Sequence, residues 1–361
     1  METTNKFKVD FKYYKQKCPP PDYSNVIEFS NDKDLGRLQR VKPSQPVIDK
    51  LNPEEVHVAS LMIPPSEWCI YELLDKPGLL FVNNPFTAIG QRYWIYRCLR
   101  DYTRRPNRLN IDAHNVLEKS QDWWDMCQRD DHLNQSLMKK LRWATLGYHH
   151  NWDTKAYSEN MKDPFPSDLA ALSRYVCHIL YGQEDFSAEA AIVNFYHFDS
   201  TLSGHTDHSE MDMSAPLLSF RYDKSFGQTA IFLLGGTSLD VTPTPMYIES
   251  GDIVIMSKES RQCYHGIPKI VPAMKSPWNT GLPLKCGDEE PPSKRARDTI
   301  DREACSVKSA RSPFSSSGMM EELLEEEFWE PFQNYIKQSR INMNVRQVLC
   351  KGEKTLNNKG S

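Results

Sequence analysis

The stretch "RINMNVR", Arg340–Arg346, alternates polar and apolar side chains without a break. Successive side chains of a strand point to opposite faces, so Arg340, Asn342, Asn344 and Arg346 share one face and Ile341, Met343 and Val345 the other. Two readings are open: an edge strand with solvated arginines, or a barrel strand whose arginines point inward. The second demands anionic partners, because an unpaired buried charge is very costly. A guanidinium grips a carboxylate through two parallel hydrogen bonds, which lysine cannot copy. A small dicarboxylic ligand would suit two such arginines.

Working outward, the chain after Phe186 has β character. "AEAAIVNFYHF", "GQTAIFLLGG" and "PMYIESGDIVIMS" are short runs of branched and aromatic residues separated by Gly, Pro, Ser and Asp turns. Short strands without helices between them predict a double-sheet barrel of the jelly-roll kind. Upstream, the strand and turn "PGLLFVNNPF" leads into "AIGQRYWIYRCLRDY", whose apolar residues recur at helical spacing. A second helical stretch runs from "SQDWWDMCQ" to "LMKKLRW", and Gly147 in "ATLGYHHNWD" breaks it. "PFPSDLAALSRYVCHILYG" has the Pro-Ser-Asp entry and Gly182 exit of a third helix.

These patterns predict an α+β chain: an N-terminal extension over 1–76, a helical region over 77–185, a jelly-roll core over 186–350 and a tail over 351–361. Residues 275–318 are polar and Pro/Ser-rich, and are expected to be a disordered or surface insertion in the core. "KRAR", Lys294–Arg297, is a candidate nuclear localisation patch, although basic runs in loops are usually just solvated.

Composition limits the function classes. No apolar run approaches the roughly 20 residues that span a bilayer, so no membrane partner is expected. The opening "METTNKFKVDFKYYKQ" lacks the apolar core of a secretory signal, and Glu2 and Asp10 disfavour a mitochondrial presequence. Nine cysteines without a Cys-x-x-Cys pair argue against a disulfide framework and against a cysteine zinc site. A net charge of -4 provides no global pull on nucleic acid, which leaves the local basic runs "RRPNR" and "KKLRW". Each run taken alone reads more simply as a solvated helix face.

Chemistry concentrates in "TLSGHTDHSE", Thr201–Glu210. His205 and Asp207 stand two apart, and on a strand they would share a face. With a distant histidine they would complete a two-histidine, one-carboxylate triad, which suits non-haem Fe(II) and leaves positions open. His265 is the candidate, because it follows "GDIVIMS" and "KESRQCY" at the start of the next barrel strand. In "NFY", Asn194 and Tyr196 share a strand face and could donate hydrogen bonds to a carboxylate. A metal-dependent hydrolase or lyase using His205, Asp207 and His208 also accounts for the cluster, but leaves the arginine strand without a task.

The ordered set Asn-x-Tyr, His-x-Asp, a later His and Arg-x-Asn-x-x-x-Arg resembles the AlkB family of Fe(II)- and 2-oxoglutarate-dependent dioxygenases. "LGYHHNWD", "SGHTDHSE", "SFGQTAIFLLGG", "ESGDIVIMS" and "NMNVRQVL" carry the likeness across roughly Gly78–Cys350. The resemblance implies iron ligands His205, Asp207 and His265, with 2-oxoglutarate held by Asn194, Tyr196, Arg340, Asn342 and Arg346 and with O2 as co-reactant. It implies that 77–185 carries nucleotide recognition, with Trp124, Tyr148, His149, His150 and Asn151 on the substrate side and Glu210 near the target base. The expected activity is oxidative demethylation of methylated bases in tRNA or DNA by an intracellular, monomeric enzyme of nucleus, cytoplasm or mitochondrion. A histone-directed demethylase would share every iron and cosubstrate residue and differ in the pocket walls. One departure is "RYDK", Arg221–Lys224, which is extra to the family pattern; four residues preserve strand parity, so facing survives beyond it.

Overall fold

Alternating side chains let one strand serve two cores, and the strands of this protein do so. The computed structural model describes residues 5–356 apart from 30–31, 45–49, 130–131, 183–184, 223–227, 274–276 and 280–315. Most of the expected insertion, "KRAR" included, lies outside the described residues, as do Asp223 and Lys224 of "RYDK". Strands and helices are numbered in chain order. β1 (Leu38–Val41), β2 (Cys69–Leu73), β3 (Leu79–Asn83), β4 (Arg108–Leu109), β5 (Trp143–Gly147), β6 (Ala190–His197), β8 (Leu217–Tyr222), β11 (Ile253–Met256) and β13 (Ser339–Arg346) make a nine-stranded sheet. Its order is β1-β2-β3-β11-β8-β13-β6-β5-β4. β7 (Leu202–His205), β9 (Thr229–Leu234), β10 (Thr244–Ile248) and β12 (His265–Val271) make a second sheet in the order β10-β9-β12-β7. Neighbours pair antiparallel in both, and together the sheets form the expected jelly roll.

Between the sheets, Phe81, Tyr196, Leu217, Val254 and Met256 of the larger pack with Phe232 and Ile267 of the smaller. The other face of the large sheet presents Val193, Phe195, Phe220, Ile253, Ile341 and Met343 to a helical layer. That layer comprises α2 (Pro53–Ser60), α3 (Ala88–Tyr96), α4 (Trp123–Cys127), α5 (His132–Lys140), α6 (Ser167–Tyr181), α7 (Ser316–Glu322) and α8 (Glu326–Ile336). On the far side, α1 (Lys6–Lys15) lays Phe7 and Tyr14 over Ile231 and Leu233 of β9. Phe7 reaches so close that a Cβ on Gly204 would stand 2.5 Å from its ring.

Two differences from the sequence reading have simple causes. The β layer is not confined to 186–350, because β11 is buried along its length and pairs on both sides, with β8 and with β3. The helical stretch through "LMKKLRW" ends at Lys140, and Trp143 opens β5 opposite Asn194. Gly147 then turns the chain out of the sheet at φ +70°, where a Cβ would stand 2.1 Å from the Glu189 carbonyl oxygen. Arg221 and Tyr222 continue β8 opposite Asn342 and Ile341.

Candidate active site

His205 closes β7 and His265 opens β12, and the two are paired directly across the small sheet. Their rings lie 4.3 Å apart between centroids. Asp207 follows two residues beyond β7, and one donor atom from each of His205, Asp207 and His265 lies within 4.8 Å of the other two. Each imidazole sets its Nδ1 on a backbone carbonyl, His205 on Ser203 at 3.0 Å and His265 on Cys263 at 3.2 Å. A Nδ1–H donated to those carbonyls leaves Nε2 with its lone pair toward the centre, the form in which histidine binds a metal.

Asp207 divides its carboxylate. Oδ1 accepts from Arg346 Nη2 at 3.0 Å, whereas Oδ2 is buried, has no hydrogen-bond partner and stands 3.6 Å from His265 Nε2. Burial opposes ionisation of this carboxyl, but Arg346, with His265 and His205, holds it well below the usual range. The donor set of two imidazoles and a carboxylate with one orphaned oxygen fits a divalent ion of the Fe(II) kind. His208 is exposed, sets its Nδ1 on the Thr206 carbonyl at 3.0 Å and stands outside this set.

Two cavities meet at this centre. The outer one, about 560 Å³, is lined by Asn194, His205, Asp207 and Arg346 within and by Trp152 and Lys155 at its mouth. The inner one is a void of only about 10 Å³, lined by Tyr196, Ser219, His265 and Asn342, and it shares Leu202 and Asn344 with the outer. Arg340 lies fully buried between the sheets, its Nη1 donating to the carbonyls of Gln228 at 2.9 Å and Ile248 at 3.3 Å. The polar face of β13 therefore points between the sheets, and its apolar face meets the helices.

The residues expected on the substrate side scatter. His150 lines the outer cavity, its Nε2 facing Ser209 Oγ at 2.9 Å. Trp124 does not: it is buried in the helical layer, stacked on Phe332 of α8 with centroids 4.7 Å apart. Tyr148 is buried, and its hydroxyl donates to Glu159 and accepts from Lys162 Nζ at 2.9 Å. His149 is clamped between Thr145 Oγ1 and Asp163 Oδ2, each at 2.7 Å. Asn151 uses Oδ1 to cap its own turn, accepting from the amides of Asp153 and Thr154. Glu210 borders the cavity but is buried, with both oxygens engaged by Arg261 and Arg346.

In the basic runs, Arg104 pairs with Asp122 at 2.9 Å and with Asp125 at 3.1 Å. Sequence reading missed Arg261, whose partner Glu210 lies far off along the chain, and also Lys155 and Tyr157. The last two follow "YHH" closely enough for that motif to have led to them.

This fold and donor set define an oxygenase class, and the chain belongs to the 2OG-Fe(II) oxygenase superfamily, whose pattern it matches over residues 95–346. It is 40% identical over 357 residues to "Nucleic acid dioxygenase ALKBH1" of Homo sapiens, covering 95% of this chain and 84% of that protein. It is 29% identical over 368 residues to "DNA N(6)-methyladenine demethylase ALKBH1A" of Arabidopsis thaliana, covering 93% and 90%. To "tRNA demethylase abh1" of Schizosaccharomyces pombe it is 31% identical over 295 residues, covering 75% and 87%. The AlkB resemblance of the sequence motifs thus holds along most of the chain. Among the described residues no helix is long and apolar enough to cross a membrane, and the described cysteines are free thiols.

Proposed function

We propose that this protein is an Fe(II)- and 2-oxoglutarate-dependent dioxygenase that removes methyl groups from bases in nucleic acid. The observation that carries the reading is the convergence of donor atoms from His205, Asp207 and His265 beside the outer cavity, which His205 and Asp207 line. A substrate can enter from the mouth, and the polar face of β13 lies beside the donors. In the overall reaction a methylated nitrogen, 2-oxoglutarate and O2 yield an N-hydroxymethyl group, succinate and CO2. The N-hydroxymethyl group then loses formaldehyde, and the nitrogen regains its proton.

His205, Asp207 and His265 would hold Fe(II), which when bound supplies the electrons that activate O2 with 2-oxoglutarate as co-reductant. Arg340, at the closed end between the sheets, would pair with the distal carboxylate of 2-oxoglutarate, and Tyr196, Asn194 and Asn342 would donate along its length. Arg346 holds Asp207 through Oδ1, which would leave Oδ2 free to bind the metal. A target base must leave its stack to reach a centre this deep. At the mouth, Trp152 is 54% exposed and packs edge-on to His150 and Trp143. A base stacked on such a ring gains about 1–3 kcal/mol. Lys155, exposed beside it, suits a phosphate.

The test supplies Fe(II), 2-oxoglutarate and O2 with methylated tRNA, methylated single-stranded DNA or a methylated histone peptide, and measures succinate and formaldehyde together. Equal amounts of both from a nucleic acid are expected. Zinc-supported turnover without 2-oxoglutarate, or turnover of the peptide with both nucleic acids inert, would overturn the proposal.

A further inference from the structure

Around Asp207 lies a closed set of buried charges. Arg261 sits four residues before His265 in the turn Lys258–Gln262 and is 2% exposed. Its Nη1 donates to the Asp207 carbonyl oxygen at 2.9 Å and its Nη2 to Glu210 Oε2 at 2.8 Å. Glu210 Oε1 pairs with Arg346 Nε at 3.1 Å and accepts from the Tyr157 hydroxyl at 3.2 Å. Arg346 closes the set on Asp207 Oδ1. Two guanidinium groups thus face two carboxylates, and removing one member leaves a buried charge uncompensated.

Glu210 has contacts to three separate elements: the turn before His265, the end of β13, and the mouth loop 150–157 through Tyr157. With both oxygens committed, it has little to offer a base. Tyr157 in turn packs edge-on to His150, with centroids 5.3 Å apart, on the wall of the outer cavity. A shift of the mouth loop therefore pulls on the carboxylate that steadies Arg346, and through Arg346 on Asp207.

We propose that Glu210 is a positioning residue: it fixes Arg346 against Asp207 and ties the substrate loop to the metal ligands through the Tyr157 hydroxyl. The inference rests on the oxygenase reading of the site. Glu210→Gln keeps the volume and removes the charge, leaving two guanidinium groups to one carboxylate beside a cation site. Partners that orient metal ligands typically account for 10–100-fold in metal affinity.

Titrating the full chain with Co(II), followed by its visible absorption, separates the alternatives without turnover. Glu210→Gln is expected to weaken Co(II) binding by about tenfold or more, while the preference among methylated nucleic acids stays as in the parent. Unchanged Co(II) affinity with altered preference would mean that Glu210 reads the substrate, and would overturn the proposal. Tyr157→Phe keeps all four charges and tests the tie to the mouth loop even should Glu210→Gln fail to fold. It is expected to lower formaldehyde released per succinate at least about twofold, because the base sits less firmly while 2-oxoglutarate is still consumed. An unchanged ratio would overturn the tie to the mouth loop. If the parent chain itself binds no Co(II), the oxygenase reading fails; if the parent binds and Glu210→Gln binds equally, this inference alone fails.

Discussion

His205 and His265 each set Nδ1 against a carbonyl, of Ser203 and Cys263, which suits metal binding through Nε2, while His208 sets its Nδ1 on Thr206 and is exposed. His265→Ala is therefore expected to weaken Co(II) binding by more than the roughly 10–100-fold that loss of a mere supporting partner costs. His208→Ala should leave the same titration within about threefold, since all three donors stay in place; loss of metal by this variant would show the ligand set to be misassigned. Arg340→Ala should raise the KM for 2-oxoglutarate by about 10–100-fold, equivalent to a charged hydrogen bond worth about 1.5–3 kcal/mol, and an unchanged KM would count against its carboxylate role. The candidate triad was visible because His205 and Asp207 stand two apart and few other histidines follow a strand; Asp207 nevertheless lies beyond the end of β7 and is held by Arg346 rather than by strand alternation. Trp124, Tyr148, His149 and Asn151 were not placed correctly by motif alone: each carries a chemistry-bearing group that local packing or a turn has already taken. Glu210 shows the same limit, since nothing in "HTDHSE" reveals that Arg261 and Arg346 will close on it.

At the scale of the element, β13 was readable because its alternation is strict, and the choice between edge and interior came from its neighbours. β6 and β8 flank it on both sides, so its arginines cannot be solvated edge residues. The helix α1 was not readable in this way. Its value lies in Phe7, which fills the space left by the missing side chains of Gly204 and Gly235, next to the strand end that bears His205. Phe7→Ala should destabilise the fold by about 3–5 kcal/mol, the usual range for emptying a buried aromatic site. Chemical denaturation checks this, and a loss below about 1 kcal/mol would mean that α1 is a detachable cover rather than part of the core. The mouth loop after Gly147 is held by Asn151 at its own turn and by Tyr157 on Glu210, which leaves Trp152 outward between two fixed points.

Over the whole molecule, burial sets how stability responds to acid. His149 and His197 both have their pKa lowered from 6.5, by burial first, and for His149 burial outweighs the raising effect of Asp163. The folded state then binds fewer protons than the unfolded one between the depressed pKa values and 6.5, so stability is present above 6.5 and falls as pH drops through that window. Asp207, held below its usual range, adds loss in the same direction at lower pH. Thermal melts of the parent should therefore shift downward from pH 7.5 to pH 5.5, and more steeply than those of His149→Gln; superimposable pH profiles would show that His149 is not the source. By itself the sequence determined the jelly-roll core and the helical layer, because period-two and period-3.6 patterns are local and survive any packing, and it singled out His205, Asp207 and His265 as candidate ligands. Only the tertiary structure decided which polar groups remain available. Pairing of β3 with β11, the wedge of Phe7 and the closure of Arg261 on Glu210 join residues far apart in the chain, and such contacts follow from how layers stack rather than from any local pattern.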